Sequence, residues 1–134
     1  MTDAPGPRPR SRPLDVAVTV GLLVIGALNV ITSFASIADL GRVIDESYTM
    51  IGIPGRFQAT DAAATVGFVV NVIWVAALLW SGAVAIRRLR AGRIAFWVPL
   101  LAGVLTGIVM LVAVGLLMGG DPAFQEFVQA PAAP

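Results

Sequence analysis

The sequence predicts an all-α membrane protein: three transmembrane helices, an amphipathic helix in the first outer loop and a short helical outer tail. Three observations carry that prediction. Of 134 residues, 57% are hydrophobic and 13% charged, about half the charged share of a soluble domain, and the mean hydropathy is +0.87. Three uncharged apolar runs lie at about residues 16–37, 62–86 and 94–118, each long enough to cross a ~30 Å bilayer core as a helix rising ~1.5 Å per residue. Strands of a membrane barrel would alternate in character and be about ten residues long, which these runs do not do. Third, seven of the nine basic residues, all of them arginine, collect on one side of the runs.

Residues 1–13 interleave Pro5, Pro7, Pro9 and Pro13 with Arg8, Arg10 and Arg12. Proline at that density blocks a regular helix, so this stretch is expected to be a disordered cytoplasmic tail. The 14–120 segment is then the transmembrane domain and 121–134 the outer tail. A signal peptide is the rival reading of the first run, with Ser36 and Ala38 at the −3 and −1 positions before Asp39. A signal h-region spans about 7–15 residues and this run about 22, which favours a retained span.

Between the first two spans, Ile37, Leu40, Ile44, Tyr48 and Ile51 recur at helical spacing, while Asp39, Arg42, Asp45 and Glu46 fall largely opposite. This is an amphipathic helix, lying on lipid or folded over the mouth of the bundle. Arg42 and Glu46 are spaced to pair. Gly52, Pro54 and Gly55 end the helix, and Thr60 or Asp61 is the expected N-cap of the second span. The linker carrying Arg87, Arg88, Arg90 and Arg93 is short and forces an antiparallel hairpin, with Gly92 suited to a helix C-cap. Trp97 is placed as an interfacial anchor, and Pro99 falls in the first turns of the third helix, where its missing N–H costs little. Gly119 and Gly120 end that helix, after which Asp121 as N-cap and Pro122 at N1 start a short amphipathic piece.

Seven arginines flank the cytoplasmic side and two the other, so the positive-inside rule sets the N-terminus in the cytoplasm and the C-terminus outside, in a plasma membrane. The net charge of +1 gives no reason to expect a nucleic-acid partner. With no lysine, histidine or cysteine, the chain lacks the side chains for zinc–thiolate sites, histidine-ligated haem, disulfides, catalytic thiols and Schiff bases. No cofactor or metal is expected. The spans carry no ionisable side chain, which argues against proton-coupled transport.

Inside the spans, neutral polar and small residues fall in register. Measured from the arginine-rich ends at ~1.5 Å per residue, Asn29 lies about 20 Å up, Asn71 about 22 Å, and Trp74 and Thr106 about 18 Å. These four are the expected interhelical polar layer, because an unpaired amide in hydrocarbon costs several kcal/mol and cross-helix bonds relieve it. The Gly103-x-x-x-Gly107 and Gly115-x-x-x-Gly119 spacings suit close helix contact within the bundle or in a homodimer, and packing within the bundle is the expected use. Arg87, Arg88, Arg90 and Arg93 form the cytoplasmic basic cluster.

The stretch Gly26-Ala27-Leu28-Asn29-Val30-Ile31-Thr32-Ser33 and the run from Arg90 to Gly103, most specifically Phe96-Trp97-Val98-Pro99-Leu100, resemble a group of small actinobacterial integral membrane proteins defined by a domain of unknown function. The resemblance covers roughly Asp15 to Ala123. It implies an actinobacterial plasma membrane and carries over no functional residue. The expected role is a non-enzymatic accessory or interaction subunit whose partners are the bilayer and other membrane proteins. The alternative is a passive transporter or pore subunit, an oligomer around the polar layer. Acid–base work would fall to loop carboxylates such as Asp45, Glu46 or Asp61, which lie where a helix keeps its solvated face.

Overall fold

The computed structural model describes residues 13–130, and among them there are five helices and no strand: α1 (Pro13–Ala38), α2 (Leu40–Ile51), α3 (Thr60–Arg90), α4 (Trp97–Gly119) and α5 (Pro122–Gln129). The Pro/Arg-rich stretch before Pro13 lies outside the described residues. Helices α1, α3 and α4 are long and apolar enough to cross a membrane, and their 26, 31 and 23 residues span about 39, 46 and 34 Å against a core of ~30 Å. This is the build of a multi-pass membrane protein. Most of their large apolar side chains, among them Ile25, Phe68, Leu79, Trp80 and Leu111, are exposed, as lipid-facing groups are.

Helix α3 is the centre of the bundle. Its buried residues Ala63, Gly67, Val70, Asn71, Ser81 and Ala85 are mostly small, which lets neighbouring backbones approach closely where lipid leaves no hydrophobic force between helices. The tightest approach is at Gly67. A Cβ there would sit far inside contact distance of the Ile37 carbonyl oxygen and 3.4 Å from the Leu40 Cβ. One turn along, Asn71 Nδ2 donates to the Phe34 carbonyl at 3.1 Å. The two contacts fasten α1 to α3 on successive turns.

Past Asp39 the chain turns into α2. Arg42 bonds Asp39 at 3.0 Å and also Glu46, so the expected pair has a third member. The Asp39 hydrogen bond first, and then the Glu46 charge, hold the guanidinium pKa above its ordinary value. All three are exposed, so the cluster adds little to stability. The apolar side of α2 is covered by protein: Leu40, Ile44 and Tyr48 join Ile53, Phe57, Ala63, Leu117 and Ala123 in the main buried cluster. Ile51, the last member of the expected stripe, is exposed. Gly52 ends the helix at φ 81°, and the N–H groups of Gly52 and Ile53 both donate to the Tyr48 carbonyl.

The 52–59 loop is held by carboxylates from elsewhere. Asp45 Oδ1 accepts the Phe57 N–H at 3.0 Å and Asp121 Oδ2 accepts that of Gln58 at 2.8 Å. The expected N-cap of α3 is corrected here: Ala59 occupies the cap position with no side-chain bond, and the Thr60 N–H donates to the Gln58 carbonyl. With the incoming strand of loop tied down by Asp45 and Asp121, neither Thr60 nor Asp61 takes that role. At the other end of α3 the hairpin closes on Gly92 at φ 66°. Arg93 N donates to Arg88 O at 2.9 Å and Gly92 N to Leu89 O at 3.0 Å, the paired 6→1 and 5→2 bonds that satisfy a helix C-terminus. Helix α4 begins at Trp97, three residues later than the apolar run.

Gly67→Ala should unfasten α1 from α3 and lower stability by about 1–3 kcal/mol or more, since backbone must move to admit the methyl. Gly103→Ala and Gly115→Ala, with nothing within 4 Å of an added Cβ, should stay within about 1 kcal/mol of the parent. Thermal unfolding in mild detergent compares the three.

Tyr48 is the only tyrosine in the chain, so its phenolate absorbance reports one site. Its hydroxyl makes no hydrogen bond of ordinary length, and burial first, then the nearby Asp121 charge acting through space, push its pKa up to about 12 from an ordinary 10. The folded state therefore holds the proton more tightly than the unfolded one. That stability is complete below about pH 10 and is lost as pH rises toward about 12. Tyr48→Phe should remove this alkaline slope, and phenolate absorbance of the parent should titrate near pH 12 rather than pH 10.

Candidate functional site

Three polar features lie outside the buried cluster: a carboxylate at the start of the bundle, an arginine cluster beside it, and a cleft at membrane depth. Asp15 lies in the first turn of α1, yet its oxygens accept the N–H groups of Ala95 and Phe96 at 3.1 Å, about the start of α4. Helices α1 and α4 both begin at this end, so one carboxylate meets two positive helix termini. Residues 94–96, the first three of the apolar run, lie outside the helix, where this clasp holds Ala95 and Phe96. Sequence spacing places Asp15 at the rim of the first span and says nothing of a partner eighty residues away, because helix caps are read locally.

The basic cluster divides in two. Arg88 Nε donates to Ile94 O at 2.9 Å, and its guanidinium lies 4.9 Å from the Trp97 ring centroid, a cation–π distance. Arg87 Nε donates to Ala83 O at 3.4 Å. Arg90 and Arg93 are exposed.

The four residues of the polar layer do not bond to one another. Asn29, Trp74 and Thr106 line one cavity of about 530 Å³ between α1, α3 and α4, whereas Asn71 is committed to the Phe34 carbonyl. Thr106 Oγ1 donates within its own helix, to Ala102 O at 2.9 Å or Gly103 O at 3.0 Å, and Ser81 does the same to Leu78 O. The indole Nε1 of Trp74 and Oδ1 of Asn71 are buried without partners. Matching depth therefore brings three of the four to one cleft without joining them.

The glycine spacings of α4 are also corrected. Nothing lies within 4 Å of a Cβ built at Gly103, Gly107, Gly115 or Gly119, so neither pair mediates packing inside this chain. Helix α4 leans instead on the buried cluster through Met110, Val114, Leu117 and Met118. Gly103 and Gly107 line the cavity, and their missing side chains are part of its space.

Of the carboxylates, Asp45 holds Phe57, Glu46 pairs with Arg42, Asp15 holds Ala95 and Phe96 just ahead of α4, and buried Asp121 takes the N–H groups of Gln58 and Ala123, whereas Asp61 is exposed at the start of α3. Among the described residues no three His, Cys, Asp or Glu side chains are grouped as metal ligands would be.

Compared with known proteins, residues 1–127 match one family, described as a family of unknown function (DUF6264). No curated protein and no solved structure matches.

Asn71 and Asn29 should behave differently on substitution. Asn71→Leu should lower thermal stability in detergent by about 0.6–2 kcal/mol through the lost cross-helix bond, and further by crowding the α1–α3 approach. Asn29→Leu, which breaks no helix contact, should leave the melting temperature unchanged or raise it.

Proposed function

We propose that this chain, which belongs to the DUF6264 family of unknown function, is a non-enzymatic subunit of the plasma membrane that acts by contact with other membrane components. The observation that carries this reading is the state of α4. It is the most apolar of the three long helices and almost none of it is buried, and Gly115 and Gly119, four apart and outside the cavity lining, have nothing within 4 Å of an added Cβ. Glycines spaced this way let a second helix backbone come close, and van der Waals contact is the main attraction available in lipid. The structural employment of Asp15, Asp45, Glu46 and Asp121 supports a non-enzymatic role.

The segregation of arginine supports an orientation with the N-terminus and the Arg87–Arg93 cluster in the cytoplasm. Helices α2 and α5 then lie on the outer side, and Arg90 and Arg93 face anionic head groups or a cytoplasmic partner.

Because the chain has no cysteine, single cysteines test the orientation cleanly. A membrane-impermeant maleimide should label Met50→Cys on intact cells and Ala91→Cys only after permeabilisation; the reverse pattern overturns the orientation. A photo-crosslinking residue at Leu111, which is 75% exposed, should yield an adduct with a different membrane protein in native membranes. Adducts with lipid alone, or with a second copy alone, would overturn the interaction-subunit reading.

A further inference from the structure

The cleft between α1 and α4 has a polar end and an apolar body. Asn29 and Val30 on α1, Trp74 on α3, and Thr106 and Gly107 on α4 mark one end. The lining then runs through Gly26, Ala77 and Gly103 toward Leu22, Ser81 and Pro99 at the arginine end. Its volume of about 530 Å³ falls in the range of small-molecule pockets. Ile25, Leu100 and Val104 line it and are themselves exposed, so the cleft opens sideways to the lipid. Gly103 and Gly107 leave room that any larger residue would fill.

Two hydrogen-bonding groups at the polar end are not absorbed by the fold. Trp74 Nε1–H is buried and has no partner. Asn29 is exposed on the cavity wall, and the bonds made by Thr106 and Ser81 go to carbonyls of their own helices and leave its amide out. In hydrocarbon such groups carry a cost of several kcal/mol until something bonds them. The indole is a donor only, and the amide supplies two more donor hydrogens, so the fitting ligand presents an acceptor. Depth narrows the choice further. At ~1.5 Å per residue, Asn29, Trp74 and Thr106 lie about 24, 24 and 14 Å from the arginine-rich ends of α1, α3 and α4, well inside the spans, where the charged head of a phospholipid does not reside.

We propose that this cleft binds a neutral lipid by its carbonyl group, with Trp74 and Asn29 as donors and the space over Gly103 and Gly107 holding the apolar body. Prenylated quinones and diacylglycerols share that chemistry: an uncharged carbonyl on a slender hydrocarbon body. The inference is independent of the interaction role, because it rests on the interior of the bundle and not on the outward face of α4.

The test uses the full chain in phosphatidylcholine nanodiscs, with Trp80→Phe and Trp97→Phe in place so that Trp74 is the only fluorophore. A short-chain prenylquinone should quench Trp74 saturably, and diacylglycerol should reverse the quenching if esters are accepted; a failure to reverse assigns the site to quinones. Asn29→Leu should weaken quinone binding about tenfold, as loss of one hydrogen bond does, and Gly107→Leu, which fills the cleft, should abolish it. An unchanged melting temperature for Asn29→Leu keeps a loss of binding from being a loss of fold. Quenching that rises linearly with quinone, or saturable quenching unaffected by both substitutions, overturns the proposal. So does a dimer that Asn29→Leu makes monomeric, since the amide would then be occupied by a second copy.

Discussion

The rest of the bundle depends on how closely α1 and α3 can come together at Gly67. Between helices in lipid there is no hydrophobic drive, so association rests on contact area and on hydrogen bonds that only short distances permit. The absent side chain at Gly67 sets the Ile37 carbonyl against the α3 backbone, and that separation lets the short amide of Asn71 reach Phe34. It also fixes where α1 ends. Leu40 enters at the same crossing, so the chain turns at Asp39 and α2 folds over the end of the bundle with Leu40, Ile44 and Tyr48 inward. A wider crossing would leave α2 nothing to lie on.

Carboxylates do the complementary work at the two ends. Asp15 at one end, and Asp45 and Asp121 at the other, each accept backbone N–H groups from a segment remote in sequence. These positions are where helices start and loops enter, so orphan donors gather there and a negative charge is favoured by the helix termini. Asp121 serves twice, holding the start of α5 through Ala123 and the loop before α3 through Gln58. These three carboxylates lie at the ends of the spans or between them and hold the segments there.

Much of the fold was legible in sequence because it rests on quantities that sequence carries directly. Length and apolar continuity mark the three long helices, and the Gly92 turn follows from the spacing of a short linker. What was not legible depends on the neighbour a residue meets. Gly67 stands on the same stripe as Asn71 and looks no different from Gly103, yet one is pressed against a backbone and the other faces open space. Periodicity assigns residues to faces, and depth can be reckoned from helix rise, so Asn29, Trp74 and Thr106 could be placed at one level. Whether residues at one level touch depends on helix separation, which neither measure contains. The caps failed for the same reason: Thr60 and Asp61 are good local candidates, and a carboxylate sixty residues away holds the loop instead.

The same division explains why a cleft can persist in so small a bundle. Helix α4 is clasped near its start by Asp15 on α1 and seated near its end by Leu117 and Met118 in the buried cluster, while along the stretch between, its glycines offer nothing to pack on α1. Closing the gap would require α4 to roll toward α1, and that motion would pull the Ala95 and Phe96 N–H groups off Asp15 or lift Leu117 from its seat. Each loss exposes a polar group without a partner or an emptied core position, with nothing gained at Gly103 and Gly107 to offset it. The seam between α1 and α3 is tight because a glycine lies in it, and the space between α1 and α4 is open because two glycines line it. One residue type gives opposite results according to whether the ends of its helix allow the backbone to approach.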